Sequence, residues 1–331
     1  MKVTIKDIAD RLGISISTVS KGLNGASDIS EDMRQTVLDT AIEMGYVTKS
    51  MKKPENLKIC IFVENMDYEK PGEFGYELIL GFKQAAQRDN FIVDIIPTNA
   101  SLQTSFKYDN FMLNSGYSGA FFVGFSLQEP WMLQLEKTKT PTVLLDNSID
   151  KNPYVAYIGT DNFEGIDAAI EHLYKLGHKK IAFFSGSPNS MVTSQRYEAY
   201  LKSMETRNLT VSEDMVAFGY YVIESAPHHI PGLLATGATA ILCGSDLMAI
   251  GALEECKKHG YRVPEDISII GFDDLPIAKT NSLTTIRQER SSLGKCAYFI
   301  LEGLMNGVPM SRCNLRARLV ERHSTAECNE R

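Results

Sequence analysis

Residues 3–46 read VTIKDIADRLGISISTVSKGLNGASDISEDMRQTVLDTAIEMGY, and three helical periods run through them. Thr4 is positioned to cap a first helix in which Ile5, Ile8, Ala9 and Leu12 recur at i, i+3, i+4 and i+7, and Gly13 supplies the turn that ends it. A second helix begins near Ser15 to Ser17. Ser30 caps the third, Glu31 and Asp32 suit its positive end, and Met33, Val37, Ala41 and Met44 form an apolar stripe that Gly45 stops. Each stripe needs a partner to leave water, so the expected unit is a small all-α bundle of helix-turn-helix type.

The second helix, roughly Ser17 to Asn24, spans about 12 Å, which fits a DNA major groove about 12 Å wide. On a helical wheel Val19 and Leu23 share the buried side while Ser17, Lys21 and Asn24 point away from it. The outward groups suit base edges: Ser17 serves several, Lys21 donates to guanine acceptors, and Ile16 at the helix tip packs on a thymine methyl. Ser15, Thr18 and Asn24 are better suited to phosphate oxygens, which set register without reading sequence. The alternative is a three-helix bundle whose polar outside meets only water.

Residues 47–56, VTKSMKKPEN, are polar and basic, and Pro54 lacks the donor a continuing helix needs, so this segment reads as a linker. Lys49, Lys52 and Lys53 are candidates to hold phosphates from it. Beyond it, apolar strand-like runs alternate with helix-patterned segments: LKICIFV, then 76–89; FIVDIIP, then 102–114; GAFFVGF, then 128–138; then PTVLLD, KIAFFSG, MVAFGYY, TAILCG and DISIIGFD. Repeated strand-helix units imply α/β architecture with parallel sheets covered by helices. Residues 57–331 are too many for one such sheet, so two lobes are expected.

Composition excludes several classes. The net charge of −7 argues against coating nucleic acid by charge alone, although residues 1–58 carry nine Lys or Arg against eight Asp or Glu. No run resembles a secretory signal or a membrane span, so a cytoplasmic protein is expected. The six cysteines (60, 243, 256, 296, 313, 328) keep no metal-ligand rhythm with the histidines, and no metal or cofactor is expected. An enzyme would need a motif such as G-x-x-x-x-G-K-S/T, G-x-G-x-x-G, G-x-S-x-G or H-E-x-x-H, and none is present.

Residues 3–46 resemble the headpiece of the lactose-repressor (LacI) family. DNFEGIDAAIEHLYKLGHKKIAFFSG (161–186), CGSDLMAIGAL (243–253) and DISIIGFDDLPIAKTNSLTTIRQERSSLG (266–294) look like landmarks of that family's periplasmic-binding-protein-like core. The resemblance implies base reading by Ile16, Ser17 and Lys21, with lysine at 21 where arginine is commoner. It implies a two-lobed sensor of type I, with the N-lobe at about 57–160 plus 290–319 and the C-lobe at about 161–289 plus the tail. The linker departs from the pattern: Thr48 and Lys49 replace Pro-Asn, and Glu55 stands where the family's wedging leucine falls.

Ligands of such sheets lie outside the carboxyl ends of the strands, so residues just after the strand runs are the effector candidates. These are Asp146, Asp161, Ser245, Asp246 and Asp273; a carboxylate accepts two hydroxyls of a polyol at once. Arg196 matches the family arginine that donates to ligand oxygens, and Phe74, Tyr76 and Tyr221 are candidates for packing on a ring. Asp161 and Asp246 could equally cap the helices that follow them, and Tyr221 could be core. The expected function is a ligand-controlled transcription repressor, a homodimer on pseudo-palindromic operator DNA, sensing a sugar or, alternatively, a nucleobase. The tail VERHSTAECNER lacks apolar heptads, so no tetramerising coiled coil is expected. A free periplasmic binding protein would share the lobes but not the headpiece.

Overall fold

The computed structural model describes residues 3–24, 26, 28–46 and 57–328, and for Asn24 and Glu31 the backbone alone; each apolar run quoted above forms a strand. In chain order the strands are β1 (Lys58–Val63), β2 (Ile92–Pro97), β3 (Tyr117–Val123), β4 (Thr142–Leu145), β5 (Val155–Thr160), β6 (Ile181–Ser185), β7 (Val216–Phe218), β8 (Ala240–Cys243), β9 (Ser268–Asp273), β10 (Thr284–Arg287), β11 (Arg312–Leu315) and β12 (Arg318–Val320). They make two sheets, ordered β11-β5-β4-β3-β1-β2 and β12-β10-β9-β8-β6-β7. The pairs from β1 to β5 and from β6 to β10 are parallel, and β12 joins β10 antiparallel. A small all-α headpiece thus precedes a parallel-sheet α/β core of periplasmic-binding-protein-like type.

Successive residues of the second sheet's strands serve opposite faces. Ile181, Phe183, Leu242, Ile270 and Phe272 enter one apolar cluster, while Ala182, Phe184, Ile241, Cys243 and Ile269 enter the other. Burial on both sides is why these strands read as unbroken apolar runs rather than alternating ones. Each Leu, Ile or Phe so buried contributes about 1.5–3 kcal/mol. The first sheet packs Phe62 edge-on against Trp131, with centroids 5.0 Å apart, beside Tyr108 and Phe122.

By backbone proximity the chain divides into two units. One comprises Met1–Met66, Ile79–Ile158 and Gly294–Arg312; the other comprises Asp67–Leu78, Gly159–Leu293 and Cys313–Arg331. The segment after β12 is tied into the second unit: Ile269 N–H donates to the Ser324 carbonyl (2.8 Å), and Cys328 N–H donates to that of Leu176 (2.7 Å).

Two expectations need correction. The segment 102–114 is two helices, Ala100–Ser105 and Tyr108–Ser115, because Phe106 and Lys107 adopt extended backbone. The break is satisfied from outside: Trp131 Nε1 donates to the Phe106 carbonyl (2.8 Å), and Gln134 Oε1 accepts from Tyr108 N–H (2.9 Å). Similarly, the helix expected over 128–138 is only Pro130–Gln134.

Candidate DNA-reading face and effector site

In the headpiece the local signals hold. Thr4 and Asp7 form a reciprocal capping box on helix Ile5–Leu12, Ser30 Oγ accepts from Met33 N–H at 3.3 Å, and Gly13 and Gly45 take left-handed φ of 66° and 70° at the helix ends. Ile8, Ala9, Val19, Val37 and Ala41 are buried together. This packing fixes the outward side of helix Ile16–Asn24: Ile16 is 53% exposed, and Ser17 and Lys21 are exposed.

Ser15 Oγ accepts from Thr18 N–H (3.0 Å) and shares a hydrogen bond with Thr18 Oγ1 (2.8 Å), so it caps this helix. Lys21 Nζ lies 2.5 Å from Asp28 Oδ2, with both side chains about half exposed, and this hydrogen bond holds the Asp28 carboxyl below its ordinary pKa. Lys21, expected to read bases, therefore has an internal partner that sequence reasoning did not foresee. Asn24's side chain, Thr48, Lys49, Lys52, Lys53, Pro54 and Glu55 lie outside what the structure describes.

In each sheet the five parallel strands follow the order second-first-third-fourth-fifth, which puts a topological switch point between β1 and β3 and another between β6 and β8. At the latter, Ser185 ends β6 and Cys243 ends β8, and glycines follow both. A Cβ at Gly244 would stand 2.5 Å from Ser185 Oγ, and one at Gly186 would stand 2.2 Å from the Tyr221 ring. Only glycine permits these approaches. The freed Gly244 carbonyl accepts from Arg196 Nη1 at 2.6 Å, while Arg196 Nε donates to Asn162 Oδ1 at 2.8 Å. The buried guanidinium stacks on Phe272, its Cζ 3.7 Å from the ring centroid.

Asp273, the residue after Phe272, has φ of 118°, a conformation that non-glycine residues rarely adopt and that costs about 1–3 kcal/mol. It is held there from both ends. Gln288 Nε2 donates to its Oδ1 (2.6 Å), and Arg290 Nη1 donates to its carbonyl (2.5 Å). Gln288 is itself fixed by Thr160 Oγ1, which donates to its Oε1 at 2.6 Å. Burial pushes the Asp273 carboxyl up to about 6, opposed by the positive charge of Arg196, the Gln288 hydrogen bond and Arg290.

Asp246 is fully buried and its carboxyl is raised in the same direction, by burial first and by the Asp273 charge second. It accepts from Thr285 Oγ1 and, at 2.6 Å, from Leu275 N–H, so it ties the ends of β9 and β10 together. The capping of helix Asp246–Lys258 falls to Ser245, whose Oγ accepts from Met248 N–H (3.2 Å), and Asp161 caps helix Asn162–Lys175 through Glu164 N–H (2.9 Å). Tyr221 shares a hydrogen bond with Thr193 Oγ1 (2.7 Å).

The structure thus gathers Arg196, Asp273, Asp246, Ser245 and Tyr221 in one unit, with Phe74 and Tyr76 on a segment of that unit, whereas Asp146 (φ 57°) belongs to the other unit. Sequence reasoning missed Asn162, Gln288, Arg290, Thr160 and Glu77. Of these, Gln288 and Arg290 follow the TTIR strand closely enough for the strand-end rule to have found them. Among the described residues no cluster of His, Cys, Asp and Glu could hold a metal, and no helix is long and apolar enough to cross a membrane.

Residues 4–49 match the model for bacterial regulatory proteins of the lacI family, and residues 170–325 match a periplasmic binding protein-like domain. The probable transcriptional repressor ExuR of Bacillus subtilis is 30% identical over 86% of this chain and 86% of its own length. The transcriptional repressor CytR of Escherichia coli K12 is 28% identical over 92% and 90%. Among solved structures, the regulator CelR in complex with cellobiose (TM-score 0.71, 22% identity) and the Lac repressor dimer bound to operator and the anti-inducer ONPF (TM-score 0.69, 24% identity) each cover 98% of this chain and are themselves wholly covered. The chain belongs to the lacI family. It is a DNA-binding transcriptional repressor and not an enzyme.

Proposed function

We propose that this repressor works as a cytoplasmic homodimer on pseudo-palindromic operator DNA, and that a small polar effector, a sugar or sugar derivative, sets its operator affinity through Asp273 and Arg196. The observation that carries this reading is Asp273 itself: a strained, buried carboxylate held by Gln288 and Arg290, with its charge balanced by the Arg196 guanidinium. Strain of this kind persists where surrounding contacts impose it, and it concentrates at functional sites. Asp273 would accept two ligand hydroxyls, and Arg196 would donate to ring or hydroxyl oxygens. Tyr221, Phe74 and Tyr76 would pack against the ring, with Ser245 and Asp246 completing the polar wall.

Base reading is assigned to Ile16, Ser17 and Lys21, and phosphate contacts to Ser15, Thr18, Asn24, Lys49, Lys52 and Lys53. Two-fold pairing supports the operator reading because one short helix reads few base pairs. The cellobiose bound to CelR supports a sugar as the effector class.

The test is a thermal-shift screen of sugars, sugar derivatives and purines on the full chain, followed by titration of each hit against operator complexes of wild type, Asp273→Ala and Arg196→Ala. The reading expects a sugar-type hit whose effect on operator binding both substitutions abolish, with operator affinity in its absence preserved. A purine hit, or unchanged effector affinity in folded variants, would overturn it. Light scattering should give a dimer at micromolar concentration, neither a monomer nor a tetramer.

A further inference from the structure

Arg290, at the start of helix Arg290–Met305, is 5% exposed, and its guanidinium is only partly engaged. Nη1 donates to the Asp273 carbonyl, Nη2 lies 2.9 Å from Glu77 Oε2, and Cζ stands 6.0 Å from the Phe74 ring centroid. Nε, on the same edge of the guanidinium as Nη2, is buried without a hydrogen-bond partner among the described residues. That edge is the side-on fork that matches the two oxygens of one carboxylate. A single oxygen of Glu77 engages half of it. The Glu77 side chain is 50% exposed, so it can turn out to water at small cost.

We propose that Arg290 is an anion subsite of the effector site, that Glu77 is its internal competitor, and that the effector is a sugar acid whose carboxylate takes both Nε and Nη2. This rests on the sensing site proposed above and names the chemical class of its ligand. Charge selects the carboxylate over a phosphate. Burial already pushes the nearby Asp273 and Asp246 carboxyls towards their protonated forms, so added negative charge is disfavoured there. Exchanging Glu77 for one ligand carboxylate leaves the total unchanged, whereas a phosphate, at about −1.5 to −2, would add to it.

The experiment is calorimetric titration of the full-length protein with D-glucuronate, D-galacturonate and D-gluconate, with D-glucose and D-galactose as neutral parents, and with D-glucose 6-phosphate. At least one acid should bind about tenfold or more tightly than its neutral parent and than the phosphate. Arg290→Gln should remove most of that difference. Glu77→Gln, at a half-exposed position that tolerates substitution, should tighten the acid several-fold by removing the competitor. A pair of purely structural value would show no change or weaker binding on that substitution, so this variant decides the question even if Arg290→Gln does not fold. Absence of binding by all three acids, equal affinity for acid and neutral parent, or a Glu77→Gln affinity that is unchanged or lower would each overturn the proposal. Tight binding of a neutral hexose that is lost in Arg196→Ala would overturn the acid subsite alone. An acid response that survives in Arg196→Ala and Asp273→Ala would instead overturn the sensing site on which it rests.

Discussion

The guanidinium carbon of Arg196 lies over the ring of Phe272, 3.7 Å from its centroid, and Phe272 immediately precedes the strained Asp273. The stack and the two hydrogen bonds to Asn162 and Gly244 together fix both the position and the tilt of the cation. Lysine keeps the charge but neither stacks as a plane nor presents two donors at fixed angles. Arg196→Lys is therefore expected to lose about 1.5–3 kcal/mol of stability, the value of hydrogen bonds to a charged group. Urea unfolding read by circular dichroism checks this, and a midpoint equal to wild type would rule it out.

In the proposed reading of DNA, Lys21 must leave Asp28 before it reaches a base. Lys21→Ala should cost about 1–3 kcal/mol on the operator and little on random DNA, because base contacts specify. Asp28→Asn frees the cation and removes a negative charge from the headpiece, so it should raise affinity for both DNAs and steepen the salt dependence of each. Fluorescence anisotropy on operator and scrambled duplexes across a salt series measures all of this. Parallel losses on the two DNAs for Lys21→Ala would show that the reading face has been misassigned.

The Gly244 carbonyl is held by an approach that only glycine allows. A Cβ there would stand 2.5 Å from Ser185 Oγ and 3.0 Å from Ser185 Cα, so relief requires backbone movement. Gly244→Ala is expected to destabilise the protein by about 1–3 kcal/mol and to displace the acceptor of Arg196. The headpiece takes no part in this, so operator affinity without effector should stay near wild type while the effector response falls. Weakened operator binding in a folded Gly244→Ala protein would contradict this separation.

Asp273 makes a pH prediction whose sign follows from burial. Its folded pKa, about 6, lies above that of an unfolded aspartate, about 3.9, so the folded state prefers the protonated form. The corresponding contribution to stability is fully present below about 4 and is lost as pH rises through about 6; Asp246 acts in the same direction. Asp274 acts oppositely in a separate window. Its carboxyl lies below the ordinary value because hydrogen bonds from Arg322 and Arg287 outweigh burial, so its contribution disappears only as pH falls below the ordinary carboxylate range. Asp273→Asn should therefore flatten the decline in melting temperature between about pH 4 and about pH 6. Parallel wild-type and Asp273→Asn profiles would refute this.

Much of the fold is legible in the chain itself, because the signals act over a few residues. Thr4 with Asp7, Ser30 with Met33, and the glycines at 13 and 45 settle the headpiece helices within single turns, and the doubly buried strands announce themselves as apolar runs. Where a long-range partner supplied the missing hydrogen bonds, as Trp131 and Gln134 do at Phe106 and Tyr108, the same local reasoning ran two helices into one.

The candidate site divides along that line. Strand-end position exposed Asp273, Asp246 and Ser245, and a motif pointed to Arg196, but nothing near Asp273 in sequence states that its φ is 118°. That conformation depends on Gln288, which is anchored by Thr160, 128 residues away in the chain, and on Arg290, which reaches Glu77 from another segment. Sequence alone determined the headpiece helices with the residues that end them, and the doubly buried strands, because caps and periodicity are local energies. The tertiary structure alone decided which of those ends meet, because pairing between distant side chains exists only once the sheet order has brought the strands together.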